Sequence, residues 1–344
     1  MDLNFCLREM THFRYFAPIV LEGNKQGARS TFYLANSHKY NCPSIEKNKE
    51  QLEEFIVTNS VNLQHISLLS EVKNNIITSE KSCLDAIKAS KIDKKVTMTY
   101  QTDFTLNYNK FNYQQVYDVI MMPSEKIADF YECNTEKNVY FGTTKYDIRF
   151  DAKKILEKYS LDDATKKVLF IWPKSRDLHN MPIDIIDNFN ELGWQVLIKS
   201  RGKDPINNKM IKRFVDSGNR VFFDDSWYPH TTQELLEISD LVVNSGSTTV
   251  EECVMHDVPL INFDIKPKRR HGRIHKHRVT HSYLYDYDYC LNLKNLDSSF
   301  DTSKLKEMIQ AVVGRTKKEH FKQARMDWLH DHKNSSKKLL NILL

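Results

Sequence analysis

The sequence predicts an α/β protein made of two doubly wound, Rossmann-like halves. Three observations predict it. Strand-like and helix-like segments alternate from one end of the chain to the other, the signature of parallel sheets covered on both faces. The alternation starts afresh after residue 150, as a second domain would. Finally, 344 residues with 40% apolar side chains are too many for one ordinary domain and enough for two cores.

In the first half, residues 2–7 form a short apolar run and residues 13–21 a helical stretch. Residues 30–35 read as a strand, 45–57 as a charged amphipathic helix, 63–69 as a strand and 79–89 as a helix. Residues 96–100 alternate as a strand does, and 116–121 form an apolar run that ends at Pro123. In the second half, residues 152–159 read as a helix, 167–172 as a strand stopped by Pro173, and 183–191 as a helix closed by Gly193. Strands at 194–199, 220–223, 241–243 and 260–263 then alternate with helices at 207–217, 232–238 and 248–256, and helical segments at 303–313 and 317–344 close the chain. The halves meet near residues 141–151. In open sheets of this kind ligands bind beyond the carboxyl ends of the strands.

Composition excludes several classes. No run approaches the roughly 18–20 consecutive apolar residues of a bilayer helix. The amino terminus carries Asp2, Arg8 and Glu9 and has no signal-peptide core. The six cysteines are scattered and none forms a CxxC pair, so reduced, buried thiols and a cytoplasmic location are expected. The net charge of +5 is small for this length, which argues against a nucleic-acid partner. No fixed-period repeat is present.

The most informative stretch is SDLVVNSGSTTVEEC (239–253), followed by DVPLIN (257–262). A buried strand runs into a turn of small hydroxylated residues, Ser245, Gly246, Ser247, Thr248 and Thr249, and a helix begins at once. Free backbone N–H groups, the positive helix end and the hydroxyls are the donors a diphosphate needs. Gly246 allows close backbone approach. Glu251 and Glu252 can accept hydrogen bonds from ribose or sugar hydroxyls. An ordinary strand–turn–helix, with Ser247 as cap and the two glutamates serving the helix dipole, accounts for the stretch equally well.

This stretch resembles the donor-binding segment of GT-B nucleotide-sugar enzymes. Other segments match in order: YDVIMMPSE (117–125) is similar to the strand and helix that end the amino-terminal half, and VYFGTTKYD (139–147) to the hinge. KVLFIWPK (167–174) resembles the first strand of the donor half, and LIK (197–199) a strand end with a phosphate-binding Lys. The likeness covers roughly residues 115–265 and is shared by UDP-GlcNAc 2-epimerases, capsule and teichoic-acid transferases and other glycosyltransferases. It implies two Rossmann-like domains facing across a cleft: an acceptor domain over 1–146, a donor domain over 147–318, and a last helix, 319–344, packing back on the first domain. It implies a glycosyltransferase that moves a sugar from a nucleotide-sugar donor to a hydroxyl of a glycan or lipid-linked acceptor in surface-glycan or capsule synthesis. The alternatives are a UDP-GlcNAc 2-epimerase and a non-catalytic module that binds nucleotide or glycan. The chain departs from the transferases where Ser200 and Arg201 replace the His-Pro that often follows the Lys, and where Asp257 replaces a Gly. The Asp/Glu/Glu set of the 2-epimerases cannot be placed in the first half.

Lys174, Lys199 and Arg201 fall at or past predicted strand ends, where cations can neutralise a leaving diphosphate. No Asp-x-Asp stands at a credible strand end, so neither metal nor cofactor is expected. Tyr228, Pro229 and His230 precede a helix and can meet a nucleotide base, or serve only as its entry loop. Asp264 can meet the acceptor or cap a turn. Residues 266–281 pack seven Lys/Arg and four His into sixteen positions, with Arg269, Arg270 and Arg273 at the centre. They are read as a basic loop that grips phosphates or an anionic acceptor and is drawn to an anionic membrane surface; a metal site lacks partner carboxylates, and a nucleic-acid stripe lacks aromatics. Glu9 and His12, after the first strand, are the candidates for the general base that deprotonates the acceptor, with Glu71 and Asp103 behind them.

Overall fold

A computed structural model of the chain describes residues 2–34, 45, 48–79, 83–99, 111–174, 178, 181–202, 205–224, 226–265, 269–270, 273–274, 282–296, 301–330 and 334–343. The chain forms two units. The first comprises Met1–Ile148, Ser226–Tyr228 and Met326–Leu344; the second comprises Arg149–Asp225 and Pro229–Arg325.

The first unit is built on seven strands, β1 (Asp2–Leu7), β2 (Arg29–Leu34), β3 (Asn62–His65), β4 (Asn75–Ser79), β5 (Lys94–Met98), β6 (Val119–Met122) and β7 (Asn138–Tyr140). They lie in the order β3-β2-β1-β4-β5-β6-β7, and every pair is parallel. The central strands are buried almost throughout, as in-sheet positions covered on both faces must be. The helix Met10–Lys25 covers one face, and its Phe13 meets Phe32 and Phe55 edge to face. The helix Ser335–Leu343 adds Leu339 and Leu340 to this core. Its first turn is tied down by Asp147, whose carboxylate accepts the Ser335 and Ser336 N–H groups, and its last by the Lys94 ammonium, which donates to the Ile342 carbonyl at 2.6 Å.

The second unit repeats the plan with β8 (Lys167–Ile171), β9 (Gln195–Lys199), β10 (Arg220–Phe222), β11 (Leu241–Asn244) and β12 (Leu260–Ile265). A two-stranded hairpin, β13 (Arg269–Arg270) and β14 (Arg273–Ile274), and a last strand, β15 (Cys290–Leu296), follow. The main sheet is again parallel, in the order β10-β9-β8-β11-β12-β15. In each unit the first strand is central and the order reverses beside it, at β1/β4 and at β8/β11, which is the doubly wound topology with its switch point.

Several expected elements need correction. The strand expected over 63–69 is the four-residue β3 followed by a 3₁₀ turn, Ile66–Glu71; β3 is exposed at the sheet edge, so the apolar run divides between two structures. Strands β4, β7 and β15 were not anticipated: β4 and β15 carry Asn, Ser and Lys among their apolar residues, and β7 has three residues. The closing helix is broken into Lys318–Ala324, a π-helical turn Arg325–Leu329, and Ser335–Leu343, because the chain passes from the second unit to the first after Arg325. Nor are all cysteines reduced. Cys6 on β1 is bonded to Cys83, which follows β4, the strand paired with β1. Cys133, Cys253 and Cys290 are free and buried, and burial pushes each thiol up, Cys133 to about 12. No helix among the described residues is long and apolar enough to cross a membrane.

His12 lies in the first turn of the helix after β1 and is only 8% exposed. Burial lowers its pKa from 6.5 to about 4; the Glu9 carboxylate opposes the shift, and Arg8 and Arg14 reinforce it. The unfolded chain therefore takes up a proton near pH 6.5 that the folded chain refuses until about 4, and stability falls as the pH drops through that window. Between pH 7.5 and 5, His12→Gln is expected to abolish about 2 kcal/mol of the wild-type loss. Urea unfolding at the two pH values checks this.

Candidate functional site

Because β8 to β12 are parallel, their carboxyl ends share one edge of the second sheet. The 245–249 turn leaves this edge at the switch point, from β11, whose four residues are all buried. Gly246 sits at φ 58°, in the left-handed region, and a side chain built on it would meet nothing within 4 Å. The turn is therefore open on the glycine side. The Gly246 N–H points inward, donating to Asn262 Oδ1 at 3.1 Å, whereas the Ser247 N–H makes no hydrogen bond among the described residues. Ser247 Oγ lies 3.1 Å from Thr249 Oγ1 and accepts from the Thr249 N–H, so it caps the helix Thr249–Met255 from one residue beyond Thr248. Both interpretations of Ser247, cap and turn hydroxyl, thus meet in one residue. Glu251 and Glu252 stand in the first helical turn, where the dipole favours carboxylates, but are 2% and 5% exposed.

Lys199, the last residue of β9, is buried and engaged. Its ammonium donates to Asp224 Oδ1 at 2.6 Å and to the Ser200 carbonyl at 2.7 Å. The same Asp224 oxygen lies 3.5 Å from His230 Nε2. Burial works against the ionised carboxylate, but the His230 hydrogen bond and the Lys199 charge outweigh it and hold Asp224 well below the usual carboxylate range. Lys199 is therefore half of a buried ion pair rather than a free cation. Lys174 and Arg201 follow β8 and β9 and are half-buried, as is Asp264 on β12.

Tyr228, considered for base stacking, belongs to the first unit, where its ring packs edge-on against Phe13 and Phe55. Burial pushes its hydroxyl up to about 12, assisted by the Asp147 charge. Glu9 is half-buried after β1 and accepts a 3.2 Å hydrogen bond from the Thr11 hydroxyl, while His12 is packed beside Phe16. Glu71 is exposed at the end of its 3₁₀ turn. Arg269, Arg270 and Arg273 fall on the β13–β14 hairpin; the other residues of 266–281, except Ile274, and Asp103 lie outside the described residues. No group of three or more His, Cys, Asp or Glu able to hold a metal occurs among the described residues.

Sequence reasoning missed Asp224, Asn244, Asn262 and Asn292. The signal was available for the asparagines: VVN, LIN and CLN each set an Asn after apolar strand residues. Asp224 gave none, since it falls in a loop whose partners are distant in sequence.

No protein-family profile and no curated protein sequence matches the chain. Solved structures do. The UDP-GlcNAc 2-epimerase of Neisseria meningitidis, bound to UDP-GlcNAc, superposes with a TM-score of 0.63 at 13% identity, covering 100% of this chain and 99% of that one. The wall teichoic acid polymerase TagF gives 0.64 at 12% identity, over 99% of this chain and 87% of that one. The spinosyn rhamnosyltransferase SpnG, complexed with thymidine diphosphate, gives 0.58 at 9% identity, over 99% of both chains. These are GT-B nucleotide-sugar enzymes, and the chain has the GT-B fold.

Proposed function

We propose that the chain is a glycosyltransferase that moves a sugar from a nucleotide-sugar donor to a hydroxyl acceptor, without a metal, in surface-glycan or capsule synthesis. The observation that carries this reading is the open Gly246 turn at the switch point of the second sheet. The likeness to enzymes solved with UDP-GlcNAc and thymidine diphosphate supports the ligand class.

In the reaction, the acceptor oxygen attacks the anomeric carbon, the anomeric carbon–phosphate oxygen bond breaks, and the nucleoside diphosphate leaves with the electron pair. The 245–249 turn holds the diphosphate through the Ser247 N–H and neighbouring hydroxyls, and Lys174 and Arg201 supply charge to the leaving group. Lys199 contributes indirectly, by fixing Asp224 and, through it, His230. Glu251 or Glu252 fixes the ribose or sugar. Glu9 and His12 are the first-unit candidates for taking the acceptor proton, although the burial that lowers the His12 pKa to about 4 makes its ring a weak base at pH 7. The arginine hairpin adds charge for phosphates or an anionic acceptor.

A panel of UDP-, GDP-, CDP-, TDP- and CMP-sugars with hydroxyl acceptors tests the assignment. Sugar transfer that survives EDTA is expected. Conversion of UDP-GlcNAc to its 2-epimer would mark the 2-epimerase instead, and binding without turnover a non-catalytic module. Activity lost in EDTA and restored by Mn²⁺ or Mg²⁺ would overturn metal independence. Gly246→Val places a β-branched side chain both in the open space and at a positive φ. It is expected to weaken donor binding by about tenfold or more while costing about 1–2 kcal/mol of stability, measured by calorimetry and thermal unfolding. For Lys199 the effect is first structural: Lys199→Met, which takes the ammonium from Asp224 and leaves it only His230, is expected to destabilise by about 3 kcal/mol, and the double variant Lys199→Met/Asp224→Asn to recover most of it. Chemical unfolding of the three proteins decides this.

A further inference from the structure

Three asparagines stand abreast across the second sheet, level with the carboxyl end of β11. Asn244 of β11 pairs in register with Asn262 of β12, and Asn262 with Asn292 of β15. Their amides form a ladder. Asn262 Nδ2 donates to Asn292 Oδ1 at 2.9 Å, which orients the Asn262 oxygen towards β11. That oxygen accepts from Asn244 Nδ2 and from the Gly246 N–H, both at 3.1 Å. Asn244 Nδ2 also lies 3.3 Å from the Ser247 carbonyl and from the Tyr285 hydroxyl. Asn244 and Asn262 are fully buried.

Such a row is costly where the flanking positions, Val243, Ile261, Phe263, Leu291 and Leu293, are apolar, since a buried amide is tolerated only when its partners are in place. The partners here are the neighbouring amides, the Tyr285 hydroxyl and, from the turn, the Gly246 N–H and the Ser247 carbonyl, with Asn244 Oδ1 buried and without a hydrogen bond among the described residues. A left-handed Gly leaves its N–H facing the sheet interior, where no strand supplies a carbonyl; the Asn262 oxygen satisfies it. An aspartate would oppose Asn292 Oδ1 with a second oxygen and bring a negative charge beneath the turn. A leucine would take away the partner of the half-buried Gly246 N–H, while Asn244 Nδ2 would keep the Ser247 carbonyl and the Tyr285 hydroxyl.

We propose that Asn262, oriented by the amide ladder, is the positioning residue of the 245–249 turn, acting through Gly246 rather than on the ligand. Its use in recognising a nucleoside diphosphate rests on the function proposed above; its hold on the turn does not. The test compares Asn262→Leu and the smaller Asn262→Ser with Asn75→Leu. Asn75 is a matched control: a buried asparagine of the first unit whose amide accepts from the Asn4 N–H and donates to the Asp2 carbonyl. Backbone deuterium uptake is followed over residues 244–250, and binding of UDP, CDP, TDP and ADP is measured by calorimetry.

Either Asn262 variant is expected to speed exchange in that segment by about tenfold or more and to raise the Kd of whichever diphosphate binds by a similar factor. Asn75→Leu is expected to lower the melting temperature comparably and to change neither. Wild-type exchange at 244–250 in both Asn262 variants overturns the proposal, as does an unchanged Kd in a protein that binds. If the wild type binds none of the four diphosphates, the proposed donor site fails, while exchange still decides whether Asn262 holds the turn. The Ser variant keeps the test decisive should the Leu variant not fold.

Discussion

Parallel pairing is the constraint on which the rest depends. A strand can lie parallel to its neighbour only through a crossover, and crossovers of constant hand return every strand to the same starting edge. In the second unit this collects the carboxyl ends of β8 to β12 side by side. At that edge the ladder runs out, and the next backbone groups must find partners elsewhere. Trp172 N–H still reaches the Lys199 carbonyl and Ser200 N–H the Phe222 carbonyl, each extending the sheet by one bond. At the switch point the chain turns away, and a side chain, Asn262, takes over. The buried polar groups of this edge are answers to one problem: Asn262 satisfies the backbone, and Asp224 satisfies the ammonium that ends β9.

The parts of this arrangement legible in the sequence are those set by local pattern. The strands β8, β9, β11 and β12 are buried apolar runs, and Pro173 stops β8 and the hydroxylated turn stops β11, so these strand ends and the turn were readable together. The edge strands β7 and β15 were not, because β7 has only three residues and β15 carries Asn and Lys that resemble loop. Pairings between distant residues were also hidden. Nothing near Lys199 in sequence announces Asp224, 25 residues on, so the lysine read as a free cation. Cys6 and Cys83, 77 residues apart, become neighbours only once β4 is set beside β1, and β4 was itself missed. Asn244, which ends β11, and Asn262 within β12 were in plain view, but their meaning requires the register that aligns them.

The two units share a topology and both bury hydroxyls at strand carboxyl ends, Thr78, Ser79 and Thr97 in the first, but they differ in where they place buried strand amides. In the first, the strands nearest the switch end in Leu7, Ser79 and Met98, and the buried amide pair Asn4–Asn75 joins β1 to β4 near their amino ends, where it also ties Asn75 to the Asp2 carbonyl. His12, beyond β1, is kept neutral by burial. In the second, β9 and β11 end in Lys199 and Asn244, with Asn262, the third of the six residues of β12, directly opposite Asn244. Polar groups at amino ends stiffen a sheet without serving a ligand, since doubly wound sheets bind beyond their carboxyl ends. Polar groups at carboxyl ends incur the same desolvation cost but can shape what a ligand meets. That Lys199 and Asn244 end strands of the second unit, the latter leading into an open glycine turn, supports the proposal that a small polar ligand is recognised in this half.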